Sequence, residues 1–130
     1  FEKGNVNTQY SLFSHSSDVV FRTVHASGGM NTVNPSKTAV GVQNGRWHHI
    51  VGSWDGTTKR IFIDGVQKFE VNKSGDLVTR TTGAAVGRFG GTTTGYYFNG
   101  KIAKVAVYGS GLDADEIWRH YTALRGRFGV

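Results

Sequence analysis

Five histidines (His15, His25, His48, His49 and His120) and nine carboxylates are the side chains able to shuttle protons or hold a metal, and cysteine is absent. Only His48 and His49 are adjacent, and neighbours on a strand project to opposite faces, so one is expected to be covered and one exposed, with no shared metal. Asp55 and Asp64 each precede a glycine, which is a turn placement, while Asp113, Asp115 and Glu116 open a helical pattern. Ser53 lies inside an apolar run rather than at the sharp turn of a nucleophile elbow, and no glycine-rich loop leads into a helix as a phosphate cradle does. Without cysteine there is no thiol catalysis, thiolate metal site or disulfide. One stretch gathers binding chemistry without carboxylates: Arg88, Phe89, Tyr96, Tyr97 and Asn99 frame a Gly/Thr loop. Sugars bind where an aromatic face takes the CH groups of a ring and fixed polar groups take its hydroxyls. These five are therefore the candidate carbohydrate-binding residues, although alternation lets only one of Tyr96 and Tyr97 face outward. Trp47, Trp54 and Trp118 read as core.

Short strands must position that loop. Of 130 residues 19 are glycine and one is proline, Pro35, so turns are frequent and Pro-rich disorder is excluded. Residues 9–14 and 19–25 form a hairpin about the polar turn 15–18, and 26–39 reads as a surface loop followed by a short strand at 40–42. Residues 46–54 make the most apolar of these strands, ending at Asp55-Gly56. Asp64-Gly65 joins 60–63 to 66–71; a plain two-residue turn would set Ile61 opposite Lys68, which predicts a bulge or burial of both faces at 61–63. After a brief strand at 84–87, residues 97–108 alternate, with Ala103, Val105 and Val107 on one face and Ile102, Ala106 and Tyr108 on the other. The period then changes. Asp113-Ala-Asp-Glu116 is a capping box, Leu112 can staple to Ile117, and Ile117, Trp118, Tyr121 and Leu124 form an apolar stripe that ends at Arg125-Gly126. The pattern is all-β, one domain of about 100–200 residues by the usual prior, with a C-terminal helix.

The net charge is +6, but Lys59-Arg60 is the only adjacent basic pair and there is no polybasic run, so nucleic acid is not an expected partner. No stretch approaches the ~18 apolar residues of a membrane span, so no membrane insertion is expected, and Phe1-Glu2-Lys3-Gly4 lacks the regions of a signal peptide.

The run Gly45-Arg46-Trp47-His48-His49-Ile50-Val51-Gly52-Ser53-Trp54-Asp55-Gly56, followed by Ile63-Asp64-Gly65, resembles the laminin-G-like members of the concanavalin A-like lectin/glucanase superfamily. Gly87, Phe98-Asn99-Gly100-Lys101-Ile102, Val105, Tyr108, Leu112 and Glu116-Ile117 are similar to that family's closing strand and short terminal helix. The resemblance covers 45–124, and Phe1-Glu2-Lys3-Gly4-Asn5 with Tyr10-Ser11-Leu12 is similar to an early segment of the family. It implies an antiparallel jelly-roll β-sandwich, with 1–130 as a single domain whose first strands lie before Phe1.

Glucanases of the superfamily set their two carboxyls at alternate positions of one strand, about 5–5.5 Å apart for retaining hydrolysis. No such pair exists here, since Asp113 and Asp115 begin a helix, so hydrolase activity is not expected. Pentraxin-like relatives carry acidic calcium ligands in the loop before the closing strand; the matching stretch here has Arg88 and no acid, so neither metal nor cofactor is expected. What remains is a non-catalytic recognition module for cell-surface glycans, within a larger secreted, surface or virion protein. The alternative is a structural or decoration domain that binds neighbouring protein chains in an assembly.

Overall fold

A computed structural model describes residues 2–3, 9–27, 29–79, 81, 83–88 and 97–130. The elements in chain order are β1 (Glu2–Lys3), β2 (Tyr10–His15), β3 (Asp18–His25), β4 (Gly29–Val33), α1 (Lys37–Val40), β5 (Ile50–Trp54), β6 (Thr58–Ile63), β7 (Val66–Asn72), β8 (Ala84–Ala85) and α2 (Ala114–Phe128). Contacts divide the chain into two units, Phe1–Asn34 with Gly75–Val107 and Pro35–Ser74 with Tyr108–Val130. Each contains one antiparallel sheet.

In the first unit the strand order is β4-β3-β2-β1-β8. The predicted hairpin is β2–β3, closed by Ser16 and Ser17 with Ser16 at a φ of 43°. Most of β3 is buried: Val19, Val20, Phe21, Thr23, Val24 and His25. A buried imidazole must have its nitrogens met. In His25, Nδ1 lies 2.9 Å from the Gly75 carbonyl oxygen and Nε2 2.7 Å from the Thr23 hydroxyl. The carbonyl can only accept, so Nδ1 carries the proton and donates, and Nε2 accepts from Thr23. Backbone bonds from Ala26 N to Asp76 O and from Val78 N to Val24 O hold the same segment against the end of β3.

The stretch read as a loop at 26–39 is more ordered than its composition suggests. β4 pairs with β3 from Phe21↔Val33 to His25↔Gly29, and as the sheet's edge it tolerates polar residues and an exposed Met30. α1 follows, with the Ser36 hydroxyl accepting from the Ala39 N–H and Gly41 ending it at a φ of 82°. No strand forms at 40–42, because Val40 is the buried residue of that helical turn.

In the second unit the order is β5-β6-β7. The run 46–54 yields a strand only from Ile50, because His48 and His49 spend their polar groups on the hairpin tip. That tip is Asp64 (φ 52°) and Gly65 (φ 79°), both left-handed as a type I′ turn requires. The anticipated bulge is present: Phe62 pairs with Gln67 but Ile61 with Phe69, leaving Lys68 as the extra residue. Both faces of β6 are also covered, with Ile61, Phe62 and Ile63 each at most 2% exposed, and Lys59 is fully buried beside them.

Residues 97–108 are not a strand. They bear alternating side chains, but only Arg88↔Tyr97 is a bridge, and Ile102, Val105, Val107 and Tyr108 are exposed. Alternation specifies faces; a strand also needs a hydrogen-bonding neighbour, and none among the described residues pairs along this stretch.

The capping box of α2 is complete, with Asp113 Oδ1 accepting from Glu116 N and Glu116 Oε2 from Asp113 N. The helix does not stop at Gly126. It continues to Phe128 and is closed by Gly129 at a φ of 69°. A mid-helix glycine costs about 1 kcal/mol, and the extra turn is offset by packing Phe128 on Trp47, with ring centroids 5.2 Å apart. Trp118, expected in the core, is half exposed; it rests beside Tyr121 over Gly65.

A Cβ on Gly65 would lie 2.6 Å from the Trp118 ring and 2.9 Å from Tyr121, whereas one on Gly56 (φ 99°) would meet nothing. Gly56→Ala should therefore lose only the backbone term of about 1–2 kcal/mol. Gly65→Ala should lose a further ~1–3 kcal/mol from overpacking. Urea unfolding of the two variants checks the difference.

Candidate functional site

Of the five predicted carbohydrate residues, Arg88, Tyr97 and Asn99 are among the described residues. Arg88 and Tyr97 pair across an isolated antiparallel bridge, and the Phe98 N–H donates to Gly87 O at 2.8 Å. These contacts fix the base of the loop and set a guanidinium and a phenol ring on directly opposed residues. Tyr97 is 69% exposed, which makes it an outward tyrosine, and Arg88 and Asn99 are exposed as well. Phe89 and Tyr96 lie outside the described residues. What the structure brings together is therefore a cation and an aromatic ring, with an amide two residues along the chain.

A second constellation, in the other unit, has no local sequence signal. His48 Nδ1 lies 2.8 Å from Asp64 Oδ2, and the Gln43 N–H donates to His48 Nε2 at 3.0 Å. An amide N–H can only donate, so Nε2 is the acceptor and Nδ1–H is directed at the carboxylate. Asp64 Oδ1 accepts from His49 N at 2.8 Å, and the Asp64 N–H returns a bond to His49 O. This looks like the carboxylate–imidazole pair of a general base, but neither nitrogen is left to take a substrate proton. The expectation of one exposed and one covered histidine fails: both are half-buried, and the His49 ring stacks on Tyr121 at 6.2 Å.

Arg46, Trp47, His48, Asp64 and Phe128 line a cleft of about 330 Å³ where the chain before β5 meets the end of α2. The sequence pattern missed it because Trp47 and Phe128 are 81 positions apart by number, and no periodicity reports a contact of that span. Among the described residues no three or more His, Asp or Glu side chains gather as metal ligands.

Among the described residues, Asp55 is an acid with a clearly perturbed carboxyl. The Arg60 guanidinium beside it, then the backbone N–H groups of Thr58 and Thr57, hold its carboxyl well below the usual carboxylate range. These are turn contacts on an exposed side chain rather than the signature of a catalytic acid.

Antiparallel sheets of short strands with one capped C-terminal helix are the build of a lectin-like β domain. The chain belongs to the concanavalin A-like lectin/glucanases superfamily: the laminin-G family model so described matches residues 2–118. No curated protein matches the chain. Among solved structures it is similar to an S-layer domain-containing protein from Clostridium thermocellum ATCC 27405, at 21% identity and a TM-score of 0.55. The likeness covers 86% of this chain and 55% of that one, so the chain spans about half of that structure's length.

Because the folded-state value of Asp55 is depressed, its contribution to stability is present above the ordinary carboxylate pKa and is lost as pH falls below it. Acid titration followed by circular dichroism should show stability declining below about pH 4. Asp55→Asn should decline less over the same interval, and added salt should narrow the gap because the pair is exposed.

Proposed function

We propose that the chain is a non-catalytic glycan-recognition module with the jelly-roll topology of its superfamily, working at a cell surface as part of a larger assembly. The observation that carries this reading is the Arg88–Tyr97 pair, braced across a backbone bridge and open to solvent, with Asn99 nearby in the chain. An aromatic face, a fixed donor array and an amide are what a sugar ring uses. The non-catalytic part is supported by the lack of two carboxylates at alternate strand positions and by the full commitment of both His48 nitrogens. A surface setting is supported by the likeness to an S-layer domain-containing protein.

A second reading, docking onto neighbouring protein chains, is favoured by the exposed apolar side chains at Ile102, Val105 and Val107.

A single open site of this kind binds weakly, so the test uses a multivalent form on a glycan array. Binding that disappears in Tyr97→Ala and Arg88→Ala, with melting unchanged, is the expected result. Binding that falls steeply with salt and ignores both substitutions assigns recognition to dispersed basic charge and overturns the reading. A folded multivalent form that binds no glycan leaves the protein-docking reading.

A further inference from the structure

We infer that the cleft lined by Arg46, Trp47, His48, Asp64 and Phe128 is a separate subsite for a pyranose ring that carries a carboxylate. The inference rests on the glycan-recognition reading but places a ligand on different residues, in the second unit. Its volume of about 330 Å³ falls at the lower end of the range for small-ligand sites.

Three kinds of group meet there. The apolar wall is Trp47 and Phe128, tilted at 44° with centroids 5.2 Å apart, each keeping the other in place. The acceptor is Asp64, which is 29% exposed and takes one bond on each oxygen, from His49 N and His48 Nδ1, so a lone pair on each remains for a hydroxyl. The donor is Arg46, exposed and in no ion pair among the described residues. Outside the lining, the Arg127 guanidinium lies 5.7 Å from the centroid of the Phe128 ring.

The charge balance selects the ligand. Asp64 already takes two protein hydrogen bonds, from His48 Nδ1 and His49 N, whereas the Arg46 guanidinium in the cleft lining is in no ion pair among the described residues. An inorganic phosphate would satisfy Arg46 but gain nothing from the Trp47–Phe128 wall, and an aromatic acid would gain nothing from Asp64. A uronate uses all three: CH groups on the wall, hydroxyls on Asp64, and its carboxylate on Arg46, whose planar fork suits a bidentate pair.

The experiment titrates methyl glucuronide and methyl glucoside into the intact chain and follows the Trp47 indole N–H by NMR. The glucuronide should shift that resonance and bind about ten-fold more tightly than the glucoside, as a charge-assisted hydrogen bond provides. Arg46→Gln, at an exposed position, should erase the preference while leaving the fold unchanged; Phe128→Leu should weaken both ligands, and Tyr97→Ala should alter neither. An unmoved Trp47 resonance, or a preference that survives Arg46→Gln, overturns the inference. Sugar binding abolished by Tyr97→Ala and indifferent to Arg46→Gln would do so too while sustaining the rim reading. A cleft that binds the glucuronide in a chain whose array binding ignores Tyr97→Ala would refute the rim and keep the cleft.

Discussion

Asp64 stands at the tip of the β6–β7 hairpin with a φ of 52°, a conformation that a non-glycine residue keeps only where surrounding contacts over-determine it. Here they do. Its backbone N–H reaches His49 O, its two carboxylate oxygens take His49 N and His48 Nδ1, and His48 Nε2 carries the tether on to the backbone of Gln43. The residue after it, Gly65, is the floor on which Trp118 and Tyr121 of α2 rest. One turn thereby fixes the chain before β5, the hairpin and the terminal helix, and the cleft exists because those three are held in register.

Histidine has been used twice in the same manner. His25 joins β3 to the Gly75 carbonyl with Thr23 on its other nitrogen, and His48 joins a carboxylate to an amide. In each case a partner that can only accept or only donate dictates the tautomer, and the ring becomes a rigid two-ended tie. A superfamily that includes both lectins and glucanases can reuse one scaffold for either purpose, and the decision lies in which polar groups remain uncommitted. In this chain both of these imidazoles are committed, whereas the arginines Arg46 and Arg88 are exposed to solvent.

Features governed by local chemistry are legible in the amino-acid sequence. Asp64-Gly65 announces its turn, Asp113 and Glu116 their capping box, and the mismatch of Ile61 with Lys68 the bulge. Arg88, Tyr97 and Asn99 stand out as a candidate rim because they cluster along the chain. The misses share a cause of the opposite kind. β4 is a strand because β3 offers it a ladder, although Gly29, Asn31 and Thr32 argue for a loop; 97–108 alternates like a strand and has no ladder among the described residues. α2 outlasts Gly126 because Phe128 finds Trp47. The cleft is invisible in sequence for the same reason, since each of its walls is set by a tertiary contact.

The bulge at Lys68 bears on how the chain behaves when crowded. β7 is the outer strand of its sheet and exposed along its whole length, with Val66, Phe69 and Val71 among its side chains, which is the profile of a template for edge-to-edge polymerisation. An extra residue interrupts the spacing of its outward amides and carbonyls, increases the local twist, and inserts an ammonium group between the apolar positions. A second copy laid against this edge would find neither a continuous ladder nor a dry surface. Among the described strands, the register slip that looks like an imperfection in the hairpin makes this outer edge a poor template for a further strand.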